Sequence, residues 1–391
     1  MEFNPKTFCA APWFQIRNEQ FSEYRPCAVI NIDQTQFKGC TNYSWPASSP
    51  EEYLNSNYSA YLRKNLTEGV ALPECRYCWQ QESLDQQSPR LVANGIVTVD
   101  RQLEQSWVKS YLKHKTDYTH DHLITADVKL TNTCNFACAM CNPKDSSQIY
   151  ASWSKSDHPV IKILLDQQPD LLEQVKRNYK DKNNHELLRL LLTKSPKFLK
   201  LLGGEPLLDR DSIKILQSVE LEKQKKIELL FITNGSVDLC ASADALKGYK
   251  GINFVISLES IGAVQDYVRK GSNWQQIEQN IDRWVNSRSA NNLNIHITVQ
   301  ALNILHIEPL MDWAKIRGIK VDMGILEQPN FLSLAAVPDK IRKQVPDKFQ
   351  NLLAASPHDP SLTLQLRDYV DWYDTNGTWQ TVLPEWLNVL K

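Results

Sequence analysis

The chain has 391 residues, enough at roughly 150 residues per domain for two or three domains. Hydrophobic residues make up 42% of it and Trp occurs 11 times, which excludes wholesale disorder. Lys and Arg number 44 against 45 Asp and Glu, a net charge of −1, so charge gives no case for nucleic acid or an anionic membrane as main partner.

The opening Met1-Glu2-Phe3-Asn4-Pro5-Lys6 has no basic stretch leading into an apolar core, and no run of about 20 apolar residues follows anywhere. No secretory signal or membrane span is therefore expected, and the reducing cytoplasm is the expected compartment. Nine cysteines are present, and eight of them fall within the first 141 residues. An odd number in such a chain argues for metal ligation or catalysis over a disulfide scaffold.

Residues 1–115 are rich in Cys, Pro, Asn, Ser and aromatic side chains and show no strand–helix rhythm. That composition suits a small irregular module held by metal and not by a large core. Cys75 and Cys78 form a Cys-x2-Cys pair able to chelate from one turn, and Cys9 and Cys27 complete four thiolates. Four thiolates close either an iron–sulfur cluster or a tetrahedral structural zinc site.

Residues 116–330 alternate short apolar strands with amphipathic stretches. Strands are expected at 123–131, 198–202, 227–233, 252–259, 295–300 and 320–325, with helical spacing at 274–284 and 310–316 between them. Such alternation implies right-handed crossovers and a parallel sheet. Six units fit an α/β fold of open, partial (β/α)6, TIM-like form better than a closed eight-fold barrel. Residues 157–197 exceed a single crossover and read as extra helices. Residues 331–391, punctuated by Pro338, Pro346 and Pro357, read as a helical C-terminal cap.

Directly after the first expected strand stands Cys134-x3-Cys138-x2-Cys141. Three thiolates on one loop can hold three corners of a cubane cluster, which leaves the fourth iron free to bind a substrate. A zinc loop is the plainer alternative. A pure electron carrier would need a fourth cysteine nearby, and none is present. Barrel chemistry also collects at the C-terminal ends of strands, where this loop lies.

Here the chain resembles the radical S-adenosylmethionine (radical SAM) superfamily, over most of residues 120–330. The resemblance implies a [4Fe-4S] cluster on Cys134, Cys138 and Cys141, with S-adenosylmethionine as second cofactor. Reductive cleavage would give a 5′-deoxyadenosyl radical that takes hydrogen from a substrate. Gly203-Gly204-Glu205-Pro206 matches the family's glycine-rich segment, whose glycines let backbone approach a ligand. Glu205 is then expected to accept from the methionyl ammonium. Thr233 and Asn234 end the third strand in the same way. Ser257 and Glu259 stand where relatives carry Ser-Ile-Asp-Gly, facing the ribose or amino-acid part of the cofactor. Arg269 resembles the arginine that pairs with the cofactor carboxylate. Met140 departs from the family's usual aromatic residue, and Val299 and Asn303 are loose candidates for adenine contact.

The N-terminal cysteines resemble the twitch module, a shortened relative of the SPASM module. That likeness implies an auxiliary [4Fe-4S] cluster on Cys9, Cys27, Cys75 and Cys78, so two clusters in all. In most relatives the module follows the barrel, whereas here it precedes it. Cys40 reads as a spare thiol or substitute ligand, and Cys240 as a buried small apolar residue. A further reading makes Cys40 or Cys240 a hydrogen-atom donor. The expected substrate is a peptide or protein side chain, with a small metabolite as rival and a flavodoxin or ferredoxin as low-potential donor. Of a different class is an iron–sulfur electron carrier or a zinc-stabilised binding protein.

Overall fold

Period-two burial marks several of the strands. In Leu293–Val299 the side chains of Leu293, Ile295, Ile297 and Val299 are buried, while Asn294, His296 and Thr298 are only partly covered. The structure is a computed structural model that describes residues 6–20, 23–31, 34–38, 45–47, 49–83, 87–99, 123–180, 183–287 and 292–390. Its strands are β1 (Gln15–Gln20), β2 (Glu23–Arg25), β3 (Trp45–Pro46), β4 (Thr125–Lys129), β5 (Ala137–Cys138) and β6 (Phe198–Leu202). They continue with β7 (Glu228–Thr233), β8 (Gly251–Ser257), β9 (Arg269–Lys270), β10 (Leu293–Val299) and β11 (Lys320–Ile325). Strands are mostly parallel and alternate with helices, the expected α/β class. β6 and β11 fall on the expected residues, and β4, β7, β8 and β10 occupy the other four expected sites with small shifts at their ends.

Backbone packing divides the chain into two compact units. One comprises Met1–Lys129, Asn183–Leu201 and Val219–Leu229; the other comprises Leu130–Lys182, Leu202–Ser218 and Leu230–Lys391. The expected boundary near residue 115 lies outside the described residues.

In the first unit β1 pairs in parallel with β4, from Gln15 opposite Thr125 to Asn18 opposite Val128. β2 and β3 extend the pairing antiparallel. The expectation of an irregular metal-held module therefore needs correction, because this segment contributes strands and a core of its own. Trp13, Phe14, Tyr53 and Tyr58 are fully buried, and the Tyr24 and Tyr53 rings stack at 5.7 Å. The sequence pattern missed this because the apolar surface comes from scattered aromatic residues and not from an alternating run. Helix Asn57–Glu68 begins on a Ser56 cap and ends on Gly69 at φ +94°, the left-handed closure that glycine adopts without strain.

In the second unit β8, β10 and β11 are parallel, with Ile295 opposite both Ile256 and Val321. Helices Trp274–Ser287 and Ile307–Ile316 connect and cover them. Phe254 of β8 meets Trp284 edge-on at 4.9 Å, and Trp274 meets Trp313 at 5.2 Å. The extra helices expected within 157–197 are Pro159–Asp166, Leu171–Lys180 and Asn183–Lys194, the last of which belongs to the first unit. Residues beyond 330 are largely helical, and helix Pro360–Tyr373 buries Leu366, Tyr369, Val370 and Tyr373. Among the described residues no helix is long and apolar enough to cross a membrane.

Replacing Phe254 by Ala removes one side of the Phe254–Trp284 contact from a site that is 1% exposed. We expect a loss of about 3–5 kcal/mol, read as a lower denaturant midpoint with unchanged slope.

Candidate functional site

A loop with little regular structure leaves its peptide groups unpaired, and a buried one must find partners for them elsewhere. The loop carrying Cys134, Cys138 and Cys141 finds them on several sides. Ser146 donates from its hydroxyl to Phe136 O at 2.7 Å, and Ser147 Oγ both accepts from Cys134 N and donates to Cys134 O at 3.2 Å. β5, inside the loop, pairs antiparallel with β9, setting Cys138 opposite Arg269. Asn234 donates to Asn135 Oδ1 at 2.9 Å, and Asn135 donates to Ser236 Oγ at 3.0 Å.

Gly203 and Gly204 close another side. The Gly204 N–H donates to Thr131 O at 2.8 Å and the Glu205 N–H to Thr133 O at 2.7 Å. A Cβ on Gly203 would lie 2.4 Å from Thr131 O, and one on Gly204 would lie 2.3 Å from Thr133 O. Both glycines thus admit the cysteine loop itself, where a ligand was expected to approach. Gly271, at φ +98°, gives the same clearance below Asn135 O.

The three thiols are electrostatically linked. Cys141 donates a hydrogen bond to the Cys138 sulfur, which with Arg269 nearby holds Cys138 below the ordinary thiol range despite its burial. The same bond, with burial, pushes Cys141 well above that range, and burial pushes Cys134 up to about 11. The Phe136 N–H reaches Cys134 Sγ at 3.4 Å. Arg269 Nη1 stands 3.8 Å from Cys138 Sγ.

Two buried carboxylates occupy the strand ends. Glu205, 1% exposed, accepts from Thr233 Oγ1 at 2.7 Å, Asn234 N at 2.7 Å and Leu207 N at 3.1 Å. Pro206 opens the short helix Pro206–Leu208 behind it. Glu259 is fully buried and pairs with Arg269 at 2.7 Å through Oε1, while its Oε2 accepts from Thr298 N at 2.9 Å. Burial pushes both carboxyls up. Arg269 is held above its usual value by Cys138 and Glu259, against its own burial. The structure therefore pairs Glu259 and Arg269 with each other. Asn303 is fully buried and donates to Glu259 O at 3.1 Å, and Val299 is buried at the end of β10.

Ser257, half-buried at the end of β8, lies opposite His296 of β10, which in turn lies opposite Asp322 of β11. This polar row was missed by the sequence reading, although the alternation of polar residues in Asn294, His296 and Thr298 signals the face that carries it. Gln300 is fully buried just beyond β10, with neither side-chain amide atom hydrogen-bonded in the structure. Cys240 is half-buried and meets Ser287 Oγ at 3.3 Å, so it is not the buried apolar residue expected. Cys40 lies outside the described residues.

In the first unit Cys9, Cys27, Cys75 and Cys78 come from three separate segments, yet every pair of them is close enough for mutual charge repulsion. Burial pushes all four thiols up, Cys78 to about 11. Arg90 and Asn94 both donate to Phe8 O, at 2.7 and 3.0 Å, and Asn94 accepts from Ala10 N at 2.8 Å, bracketing Cys9. Fully buried Glu74 takes Thr35 Oγ1 at 2.8 Å and offers its carbonyl to Asn31 N at 2.8 Å, tying the loop after Cys27 to the turn of Cys75. Arg90 and Ser88 act against burial at the Cys78 thiol, and the Ser88 hydroxyl donates to Glu82 Oε1 at 2.5 Å. These supporting residues carry no sequence signature, because they reach the cysteines only through the fold. All eight described cysteines are free thiols. Among the described residues no three metal-ligating side chains are already gathered as around a bound ion.

Substituting Gly204 by Ala is expected to displace the cysteine loop, since backbone cannot yield as a flexible side chain does. The loss should be at least about 1–3 kcal/mol, with faster amide exchange at residues 131–136. Gly95→Ala, which meets nothing within 4 Å inside helix Pro89–Val99, serves as the comparison and should stabilise by about 0.5–1 kcal/mol.

Residues 128–314 match the family model described as the radical SAM superfamily. A GTP 3′,8-cyclase of Nitrobacter winogradskyi is 26% identical over 233 residues, covering 56% of this chain and 59% of the cyclase. Among solved structures, SuiB of Streptococcus suis bound to S-adenosylmethionine aligns over 80% of this chain and 62% of its own, with 14% identity and a TM-score of 0.36. A structure of anSMEcpe with bound AdoMet and a Cp18Cys peptide aligns over 60% of this chain and 62% of its own, with 13% identity and a TM-score of 0.36. The chain spans less than two thirds of each of these relatives. Residues 128–314 are thus a radical SAM domain, the part of the chain that this similarity covers.

Proposed function

We propose that this protein is a radical SAM enzyme in which Cys134, Cys138 and Cys141 hold a [4Fe-4S] cluster. The observation that carries the reading is three free, electrostatically linked thiols on one loop braced from several sides. The donor set fits: Cys138 is already biased toward thiolate, and Arg269 beside it offsets the negative charge that thiolates gather. When bound, the cluster and S-adenosylmethionine supply reductive carbon–sulfur cleavage and a 5′-deoxyadenosyl radical.

The chain's own residues then bind, orient and shield. Glu205, with Thr233 and Asn234, fixes one strand-end edge of the cofactor site; Glu259 fixes Arg269 at another. Gly203, Gly204 and Pro206 set the loop's height against those edges, and Ser257 supplies a polar contact on the same side. Position and exclusion of water are the protein's contribution to such chemistry.

We assign Cys9, Cys27, Cys75 and Cys78 to a second [4Fe-4S] cluster, a reading supported by their mutual proximity and by their likeness to the twitch module. Cys9, Cys27, Cys75 and Cys78 would hold that group, and it would supply a one-electron acceptor suited to a net two-electron oxidation of the substrate. The substrate that fits best with such a module is a peptide or protein side chain. A low-potential flavodoxin or ferredoxin is the reductant in this reading, and the free thiols are consistent with a cytoplasmic setting.

The reading is tested by anaerobic reconstitution with iron and sulfide, followed by dithionite and S-adenosylmethionine. We expect 5′-deoxyadenosine, its loss in Cys138→Ala, and about eight irons per chain, two cubanes' worth. Release no greater than in Cys138→Ala would sink the enzyme reading. Stoichiometric zinc at the N-terminal thiols would replace the second cluster with a structural site.

A further inference from the structure

The radical SAM reading uses the cysteine loop and the strand ends, but it leaves out the side of the loop that helix Pro360–Tyr373 covers. From that helix Tyr369 donates its phenol hydrogen to Ala139 O at 2.7 Å. Tyr373 Oη lies 3.0 Å from Ala137 O, 3.1 Å from Tyr267 O and 3.2 Å from Val268 O, and it accepts from Lys270 N at 3.2 Å. The single phenol of Tyr373 thus ties both strands of the β5–β9 pair. Lys270 Nζ completes the tie by donating to Tyr373 O at 2.9 Å. The two rings stack at 5.9 Å, 1% and 4% exposed.

Ala137 and Ala139 flank Cys138, and this placement has a consequence for the sulfurs. In a trans peptide the carbonyl and the next N–H point in opposite directions. Holding Ala137 O toward Tyr373 turns the Cys138 N–H to the far side of the peptide plane. Holding Ala139 O toward Tyr369 turns the Met140 N–H away from the helix in the same way. Amide donors on cluster sulfurs stabilise the reduced form and raise its potential.

We propose that Tyr369 and Tyr373 are positioning residues for the cluster loop: by fixing two peptide planes from behind, they aim its amides at sulfur and so set the cluster's reduction potential. The inference rests on the proposed cluster at Cys134, Cys138 and Cys141. It gives the C-terminal helix a part in radical initiation, although the helix contributes no ligand.

The test uses the full chain, reconstituted, as wild type, Tyr369→Phe, Tyr373→Phe and Tyr249→Phe. Tyr249 is the comparison because its buried hydroxyl makes an equivalent bond, to Leu216 O at 2.8 Å, away from the loop. Iron content, the midpoint potential and the electron paramagnetic resonance signal that responds to S-adenosylmethionine are read for each. The expected result is a more negative midpoint and altered g values in Tyr369→Phe and Tyr373→Phe, with cleavage slowed about tenfold or more, while Tyr249→Phe matches wild type. Loss of the S-adenosylmethionine-responsive signal in a variant that keeps its remaining iron also supports the proposal. Midpoints and g values in both loop variants equal to those of Tyr249→Phe would overturn it. Should Tyr373→Phe fail to fold, Tyr369→Phe alone decides. A wild type without any signal that responds to S-adenosylmethionine would overturn the radical SAM reading, and this inference with it.

Discussion

The structure of the second unit depends on how an irregular cysteine loop satisfies its peptide groups in a buried place. Buried backbone donors and acceptors left unpaired cost as much as lost hydrogen bonds, so the loop is shaped by whatever partners the surrounding elements offer. Ser146 and Ser147 serve its ends, β9 pairs its middle, and Gly203 and Gly204 admit its first residues. Each partner sits on a different element. The three thiols are therefore placed by the domain as a whole, and they share one position only while those elements stay packed.

Buried charge is the second constraint. Glu205 and Glu259 stand at strand ends where burial disfavours their ionised forms, yet both are fully engaged. Glu205 draws on the Thr233 hydroxyl and the Asn234 amide, so the end of β6 is fixed to the end of β7. Glu259 joins β8 to β10 through Thr298 and holds the guanidinium of Arg269. A buried carboxylate is tolerated when hydrogen bonds and an opposite charge replace its water, and both conditions are met here. Arg269 in turn brings positive charge to the sulfur of Cys138, the one thiol of the three held below its ordinary range.

The first unit solves a related problem with other means. Four thiols brought together by burial repel one another as they ionise, which favours either the protonated thiols or a bound metal. Arg90, Asn94 and Glu74 hold the segments that carry them. An aromatic core around Trp13, Tyr53 and Tyr58 supports those segments.

Local pattern was enough for much of this. Short apolar-rich runs located β6 and β11 to the residue, and in β6 the burial of every second side chain is a property of the strand itself. Likewise Cys134, Cys138 and Cys141 were legible, since thiols on one loop keep their spacing in the sequence. Gly203-Gly204 was legible as a place needing glycine, but only the packed backbone revealed that Thr131 and Thr133 fill the space. Glu259 meets Arg269 only across the intervening helix Gly262–Val268, and the phenols of Tyr369 and Tyr373 behind the loop join residues far apart in the chain. So do Arg90 and Asn94 around Cys9. A hydrogen bond between such residues depends on where whole elements pack, and local periodicity carries no record of that. Sequence by itself determined the strands, the alternation and the thiol spacing; tertiary structure alone decided what holds the thiols in place.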